Sequence, residues 1–544
     1  LVVTNALAVC TTNGNTAVLY AEAHMMMAPD TALNVGIATN ARALLQVGDN
    51  RGTQDRQYGA ALTAGKVFNA YLTHLYVAYR NGGFNALTTT GRLDLAAATN
   101  QGVLDVAGDV IIGYDVRCQA DVIIPDSIDF RIGTAQARGG SLRLAYGTAF
   151  GFDSTLTLGT GRFDAYLTDL VVGDNQVFGS VYASNVSGGV LDVSQNFTIC
   201  RGGTYGGGYL GLGDGMDVKI GDPSARASFV LGVDTSQQKT GTFHMVSGRF
   251  AAYVTNFWVG HENINGRERH FLFDAANVST GILDVSESFA VGDGRNTSAG
   301  ATVVTLGEGF TTTIGAPTQR AAMAIGTYQS YATTVTVAGV FNAFLTNLTV
   351  GFTNTGTAKL DLSQVTNGML DVDGDAFVGN GGLGVGELTL PSITATAGNL
   401  TVGSPFASSK GTLTLTGTVF TVTNSATIDG PTVANKGRIL VSLYGRPGGL
   451  DLTENASFTI NTGVYSITFG YPTQAVPIYW GLRWAGDHYV TLTNLYQQSR
   501  ITWNTNAVTN PFVIASVTTF VANGTTYIGA RMRTTVPGTQ FLFW

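Results

Sequence analysis

The chain has 544 residues, of which 71 are glycine and only 12% are charged, and its formal net charge is -7. Such an even composition over this length indicates one extended architecture rather than a series of different domains. No block of Lys or Arg could hold nucleic acid or anionic lipid, and no apolar run reaches the roughly eighteen residues that a spanning helix needs, so we expect neither nucleic acid nor membrane insertion.

The sequence repeats with a period of about 91 residues. The first recurring segment has the pattern Phe-x-Ala-aromatic-Leu/Val-Thr, and its copies begin at Phe68, Phe163, Phe250 and Phe341. A second segment, Leu-Asp-Val, contains Asp105, Asp192, Asp284 and Asp371. A third couples an apolar-Gly pair to a basic residue, at Arg42, Arg138, Arg226, Arg320 and Lys410. Long-period repetition of short strands predicts a solenoid, in which each unit is stabilised by its neighbours.

Within one unit, apolar residues alternate with polar ones, as Phe163, Ala165 and Leu167 do, and the phase then slips across Thr168-Asp169. A phase slip indicates a corner. The corner residues are Asn, Asp or His, which tolerate a left-handed backbone: His74, Asp169, Asn256 and Asn347. Glycines that end strands should supply further turns, at Gly113, Gly173, Gly260, Gly292, Gly351 and Gly379. With about 23 residues per coil, a typical solenoid value, each unit would hold four coils.

The sequence begins part-way through a unit, because Leu1 to Cys10 aligns with Leu191 to Cys200. It shows no initiator Met and no signal core, so we expect a processed or incomplete chain without an N-terminal cap.

We therefore predict an all-β fold, a parallel β-solenoid (β-helix) of ~91-residue multi-coil repeats over residues 1–430, entered mid-unit at residue 1. The repeat dissolves near Gly430, and residues 431–544 should form a distinct, mostly-β capping or assembly region with one short helix. Asp487 is its expected N-cap, and Tyr489, Leu492 and Tyr496 fall at helical spacing.

No arrangement of residues predicts catalysis, a cofactor or a metal. The aspartates of the Leu-Asp-Val segments lie a whole unit apart, too far for paired acid and base work, so we expect them to be solvated or to cap corners. The six histidines have no ligand spacing, and the sequence lacks Asp-Asp and Gly-His-Gly elements. Calcium is the alternative at Asp371-Val-Asp373-Gly-Asp375 and at Gly213-Asp-Gly-Met-Asp217, which resemble fragments of calcium loops.

Asn-x-Ser/Thr sequons mark candidate glycosylation sites. They occur at Asn185, Asn196, Asn277, Asn296, Asn347, Asn399, Asn455 and Asn523.

The Gly-rich, Lys-poor units, with their Gly-x-Leu-Asp-Val and Leu-Thr-x-Leu-x-Val-Gly patterns, resemble the passenger-type β-strand repeats of secreted bacterial surface proteins, the autotransporter-associated class. The resemblance spans roughly residues 1–430, and the segment from Tyr479 to His488 is similar to a C-terminal element of such proteins. It implies a secreted, cell-surface β-solenoid. The translocator barrel of true autotransporters is missing from this sequence.

The expected function is a non-catalytic extracellular structural protein, the subunit of a head-to-tail filament or cell-surface fibre whose main partner is another copy of itself. Exposed strand edges at solenoid ends drive such association. The candidate assembly residues are Leu1, Val2, Val3, Phe541, Leu542, Phe543 and Trp544. One alternative is a carbohydrate-binding adhesin that uses aromatic residues such as Tyr253 and Trp258, and another is a polysaccharide-degrading β-helix enzyme.

Overall fold

A computed structural model describes residues 1–12, 20–50, 57–80, 89–114, 118–147, 152–175, 178–202, 206–233, 239–261, 269–293, 300–327, 332–352, 356–381, 384–406, 409–432, 436–445, 447–472, 478–505 and 518–531. The fold is a parallel β-solenoid of about 14 turns, with 73% of the described residues in strands and a mostly-β C-terminal region containing one short helix. The predicted fold class is therefore confirmed. Among the described residues, no helix has both the length and the apolar character needed to cross a membrane. The chain divides into two compact units, Leu1–Thr313 and Ile314–Trp544.

The strands that begin in the first unit are β1 (Val2–Val3), β2 (Ala6–Thr12), β3 (Tyr20–Met26), β4 (Ala32–Val35), β5 (Ala43–Asn50), β6 (Gln57–Thr63), β7 (Val67–Arg80), β8 (Thr89–Asp94), β9 (Gly102–Val106), β10 (Val110–Tyr114), β11 (Cys118–Ile124), β12 (Ile128–Ile132), β13 (Gly139–Gly147), β14 (Ser154–Leu158), β15 (Phe163–Asn175), β16 (Phe178–Ala183), β17 (Gly189–Arg201), β18 (Gly206–Leu212), β19 (Met216–Ile220), β20 (Ala227–Val233), β21 (Lys239–Met245), β22 (Gly248–His261), β23 (Arg269–Ala275), β24 (Thr280–Val291), β25 (Gly300–Leu306) and β26 (Phe310–Ile314).

The elements of the second unit are β27 (Ala321–Ile325), β28 (Ala332–Phe352), β29 (Thr357–Asn380), β30 (Val385–Leu390), β31 (Thr394–Val402), β32 (Lys410–Thr416), β33 (Val419–Ile428), β34 (Arg438–Gly445), β35 (Gly449–Leu452), β36 (Ser457–Ile460), β37 (Val464–Pro472), β38 (Ile478–Ala485), α1 (Tyr489–Gln497), β39 (Ile501–Thr505), β40 (Thr518–Ala522) and β41 (Thr525–Arg531).

Each coil of the first unit has three faces, and equivalent strands of successive coils pair in parallel. Face A contains β1, β4, β9, β12 and β19, and face B contains β2, β5, β10, β13 and β20. Strands β7, β15, β17, β22 and β24 turn the corner between faces A and B and belong to both. Face C contains β3, β6, β8, β11, β14, β16, β18, β21, β23 and β25.

In the second unit, β28 and β29 each run through all three faces and pair along their whole length. Parallel pairing continues through β37 and β39, well into the predicted C-terminal region. The pattern then changes, because β41 pairs antiparallel with both β38 and β40. The β40–β41 hairpin turns at Asn523-Gly524, where both residues have positive φ, a backbone suited to a tight hairpin.

A repeat unit contains three coils, so the expectation of four coils is wrong. Strand pairing joins Ala70 to Leu104, Leu104 to Phe130, and Phe130 to Phe163, so three steps along the solenoid cover one unit. Each coil thus holds about 30 residues, because its connections are longer than a typical solenoid value implies.

The core consists of inward side chains from all three faces. In β15, Phe163, Ala165 and Leu167 are buried, and after the phase slip Leu170 and Val172 are buried as well. At some inward positions, successive coils carry the same residue type, and these side chains stack on one another. The rings of Phe197, Phe229, Phe257 and Phe289 stack in this order, with centroids 5.0, 4.7 and 5.1 Å apart. Such offset stacks add to the stabilisation from area burial alone.

The corner between faces A and B lies where the phase slip predicts it, since pairing shifts between Leu167 and Asp169 and between Val254 and Asn256. The predicted left-handed backbone is wrong, because His74, Asp169, Asn256 and Asn347 are not among the residues with positive φ. Several corner side chains instead bond from coil to coil. Asn196 Nδ2 donates to Asp169 Oδ1 (2.6 Å), and the Asn399 amide donates to Asp375 (2.8 Å) and accepts from Ser425 (2.8 Å).

The predicted glycine turns are confirmed. Gly113, Gly173, Gly260, Gly292, Gly351 and Gly379 have φ of 69°, 70°, 64°, 61°, 72° and 66°. A Cβ at Gly173 would collide with the main-chain oxygen of Gly207 on the next coil. Space as well as backbone conformation therefore restricts this corner to the smallest residues.

The predicted short helix is present as α1, and Leu492 is its buried residue. The cap differs by one position, because the N-cap residue is His488 and makes no side-chain capping bond. The Asp487 carboxylate accepts instead from the main-chain nitrogen of Tyr489 (3.3 Å), and the His488 ring stacks on Trp484.

Tyr465 ties three elements of the second unit together. Its side chain is fully buried, and its hydroxyl donates to the Gly481 oxygen (2.6 Å) and accepts from the Leu450 nitrogen (3.0 Å). Burial raises the pKa of this phenol well above its ordinary value, so it stays neutral at any physiological pH.

We expect Tyr465→Phe to lower the free energy of unfolding of the second unit by about 1–3 kcal/mol, because two buried main-chain groups lose their partner. Denaturant titration of the full chain measures this change. Tyr489→Phe is the control, since Tyr489 is 45% exposed, and it should shift stability by no more than about 0.5 kcal/mol. Equal effects of the two substitutions would show that the buried hydroxyl is not a structural tie.

Candidate functional site: a repeated arginine–aspartate clamp

The three recurring segments of the sequence meet at one place in each unit. The arginine of the third segment binds the aspartate of the second, and the pairs are Arg42–Asp105 (2.7 Å), Arg138–Asp192 (3.0 Å), Arg226–Asp284 (3.0 Å) and Arg320–Asp371 (2.7 Å). We call this arrangement the clamp. The four clamps follow the 91-residue period, so the period of the sequence is the period of the clamp.

A tight turn delivers each arginine. The preceding glycine, Gly36, Gly133, Gly221 or Gly315, has φ between 64° and 75°. A Cβ at Gly221 would collide with the main-chain oxygen of Tyr253, so the coil passes too closely for any side chain. Antiparallel bridges close the turns at Ala38–Ala41, Asp222–Ala225 and Ala316–Gln319, and the arginine is the next residue after the bridge.

Each guanidinium also binds main-chain oxygens of two further coils. Arg138 Nη1 donates to the Leu167 oxygen (3.3 Å) and to the Asp192 oxygen (3.1 Å), while Nη2 bonds both Asp192 carboxylate oxygens. The fifth residue of the first segment supplies the first oxygen in every clamp, at 3.1–3.3 Å, from Leu72, Leu167, Val254 and Leu345. Ala43 pairs with Leu72, and Leu72 pairs with Val106, so one arginine holds three consecutive coils together.

The threonine of the first segment reinforces the clamp. The hydroxyls of Thr73, Thr168 and Thr346 donate to the main-chain oxygen of the residue after each arginine, at 3.1–3.4 Å. The clamp geometry is the same although its arginine and aspartate are 63, 54, 58 or 51 residues apart in the chain. The segments between arginine and aspartate therefore differ in length without changing the positions of the clamp residues.

The expectation that these aspartates are solvated is wrong. Asp192 is buried, and the other three are partly buried against their arginines. Around Asp371, burial acts to raise the pKa, but hydrogen bonds from Thr396 and Arg320 and the charge of Arg320 outweigh it, so the pKa lies below its ordinary value. The carboxylate is thus held in the charged form that the guanidinium needs.

The fifth predicted copy of the third segment, with Lys410, is wrong. Val402 pairs with Val378 in register, which places Gly403 in the same series as Gly379, at the corner that ends face B rather than at the clamp turn. An apolar residue followed by glycine occurs at both corners, so this pattern alone does not distinguish a clamp turn from the corner that ends face B.

Two carboxylates of the first candidate calcium site bind other side chains of the protein. Among the described residues, no three His, Cys, Asp or Glu side chains lie close enough to hold a metal ion. Asp371 belongs to a clamp. Asp375 accepts a hydrogen bond from Asn399 in the corner ladder, the series of side-chain bonds between successive coils at the A/B corner.

The candidate assembly and glycan-stacking residues lie at the surface where they are described. Leu1 and Val2 are 57% and 62% exposed, and Val2 and Val3 pair in parallel with β4. Phe541, Leu542, Phe543 and Trp544 lie outside the described residues. Tyr253 and Trp258 are half-buried on the outer surface, and the Trp258 indole donates to Ser288 and packs against His261.

The candidate glycosylation sites fall into two groups. The exposed asparagines in turns are Asn185, Asn277, Asn455 and Asn523. Those in strands at the A/B corner, with side chains engaged in hydrogen bonds, are Asn196, Asn347 and Asn399. Asn296 lies outside the described residues. A glycan on Asn399 would be attached to the amide nitrogen that donates to Asp375, so the turn sites suit modification better.

We expect Arg138→Gln to lower the free energy of unfolding by about 3–5 kcal/mol, because it leaves the buried Asp192 carboxylate without its counter-charge. Arg131→Gln is the matched control, since Arg131 is about half exposed and its bond to Asp129 has the same 3.0 Å length. Surface pairs contribute only about 0–1 kcal/mol. Denaturant titration of both variants makes the comparison, and similar losses would contradict a special role for the clamp.

The stabilisation that Arg320 gives through Asp371 should depend on pH. Because the folded-state pKa of Asp371 lies below the unfolded value of about 3.9, its contribution is complete above that pH and is lost as the pH falls through the folded-state pKa. The difference in melting temperature between the natural chain and Asp371→Asn should therefore shrink between about pH 5 and pH 2. Asp373→Asn, at an exposed neighbouring carboxylate, is the control. A pH-independent difference would refute this assignment.

Comparison with known proteins gives no relative from which a function could be transferred. The chain matches no protein-family model, no curated protein and no solved structure. The clamp and the surfaces around it are thus the basis for any functional conclusion.

Proposed function

We propose that the chain is a non-catalytic, extracellular structural protein, a shaft subunit of a head-to-tail filament or cell-surface fibre. The clamp is the observation that carries this proposal. In every unit it commits the recurring aspartate and arginine to bonds between coils, and so the most regularly placed charges of the chain serve cohesion rather than chemistry.

The clamp suits a protein that must resist separation of its coils. Hydrogen bonds between parallel strands join a coil only to its immediate neighbours, whereas each guanidinium joins three coils. An extended solenoid has little long-range packing, and its stability is close to a sum of neighbour contacts. Links that extend beyond the nearest neighbour oppose local opening.

Strand edges support assembly between copies. In the described part of the second unit, β36 pairs only with β33, and β39 pairs only with β37. Edges of this kind favour addition of a strand from another chain, and a contact between unlike surfaces that does not close produces a fibre. The resemblance of the repeats to passenger-type units of secreted bacterial surface proteins supports the location outside the cell.

Electron microscopy and concentration-dependent light scattering of the purified full-length chain test this function. We expect unbranched filaments, and we expect Val2→Asp to shorten or abolish them, because it places a charge on an exposed apolar strand. Ile37→Asp is the matched control, since Ile37 is 61% exposed but lies in a clamp turn, and it should leave filaments intact. Monodisperse monomers of the natural chain at all concentrations would refute the filament.

A further inference from the structure

A cavity opens on the outer surface of face B in the first unit, where β13, β15 and β17 lie side by side. Its volume is about 190 Å³, and its lining includes Arg143, Tyr146, Asp169, Asp174, Asn196 and Arg201. Sites for drug-sized ligands are larger, roughly 300–1,000 Å³, so this cavity fits one small ring with its substituents.

The cavity lies where a stack of tyrosines ends. Tyr79, Tyr114 and Tyr146 occupy equivalent positions on successive coils, and their rings stack with centroids 4.9 and 5.5 Å apart. The next two coils place Asp174 and then Arg201 at this position. The surface thus changes from aromatic to charged at the cavity.

Arg143 is held in place but is not satisfied. Its guanidinium carbon lies 5.0 Å from the centre of the Tyr146 ring, a cation–π contact that fixes the side chain. Its Nε is buried and has no hydrogen-bond acceptor among the residues that the structure describes. A buried N–H without an acceptor is costly. Arg143 also lines the cavity, where its guanidinium can attract an anionic group.

The other lining groups limit the class of ligand. Two arginines and two aspartates give the cavity no net formal charge, so a small inorganic anion would meet as much repulsion as attraction. Carboxylates accept hydrogen bonds from hydroxyl groups, and Asp169 already accepts one from Asn196 (2.6 Å). A ligand with one carboxylate and several hydroxyls on a single ring would bind both the arginines and the aspartates of the lining.

We propose that this cavity binds one carboxylate-bearing sugar residue, a uronic acid, of an acidic polysaccharide. The sugar carboxylate binds Arg143 and Arg201, and the sugar hydroxyls donate to Asp169 and Asp174. The site is separate from Tyr253 and Trp258 and involves no bond cleavage. Because Asn196 lines the cavity, a glycan on Asn196 and the ligand exclude each other.

Isothermal titration of the full chain, produced in a host that does not glycosylate asparagine, tests the site with three probes: a galacturonic acid trimer, an uncharged galactose trimer and sodium sulfate. We expect binding of the acidic trimer only, weakening as salt is added. Arg143→Gln and Arg201→Gln should each reduce the affinity by about tenfold or more. Arg131→Gln, on face A outside the cavity, should leave it unchanged.

Folding of every variant is checked by circular dichroism, and the exposed Arg201 provides a test that does not disturb packing. Absence of binding by the natural chain would overturn the proposal, as would equal binding of sulfate or of the uncharged trimer. Unchanged affinity in the folded Arg201→Gln variant would do the same. None of these results bears on filament formation, which is measured independently.

Discussion

One guanidinium group that reaches across three coils is the constraint on which the repeat depends. A parallel β-solenoid can be built from coils of many sequences, because main-chain bonds between neighbouring strands place few demands on side chains. The clamp adds a demand that recurs only every third coil. It requires a glycine turn in one coil, a main-chain oxygen within reach in the next and an aspartate in the third. These are the three segments that recur in the sequence, and their spacing follows from the reach of one side chain.

The clamps and the corners share the task of holding the coils. Buried ion pairs are often no more stabilising than apolar packing, since both charges lose water, but loss of one partner leaves a costly buried charge. Phenylalanine stacks inside face B and the Asn/Asp ladder at the A/B corner act between adjacent coils only. Adjacent-coil contacts therefore supply cohesion between neighbouring coils, while each clamp also links the three coils that it spans.

Periodicity and turn chemistry in the sequence were enough to predict the solenoid, the corner at Thr168-Asp169, the glycine turns and the helix after Asp487. They were not enough to predict that Arg138 meets Asp192, although both had been singled out. That contact depends on the number of residues in a coil, and connections of variable length conceal this number. The prediction of a left-handed corner backbone was wrong. Asp169 occupies the corner because its side chain bonds to the next coil. The cavity gave no signal, since Arg143, Asp174 and Arg201 belong to no recurring segment and meet only through strand register.

The three-coil reach of the clamp also restricts how such a chain can change in length. Deletion or duplication of a single coil within a clamped unit would set an arginine opposite a coil without its aspartate, and would bury one charge uncompensated. Gain or loss of a whole unit leaves every guanidinium facing its own carboxylate. Unequal recombination in the gene encoding this protein can thus keep every clamp intact if it adds or removes coils at a boundary between two clamps, and whole units of about 91 codons meet this condition.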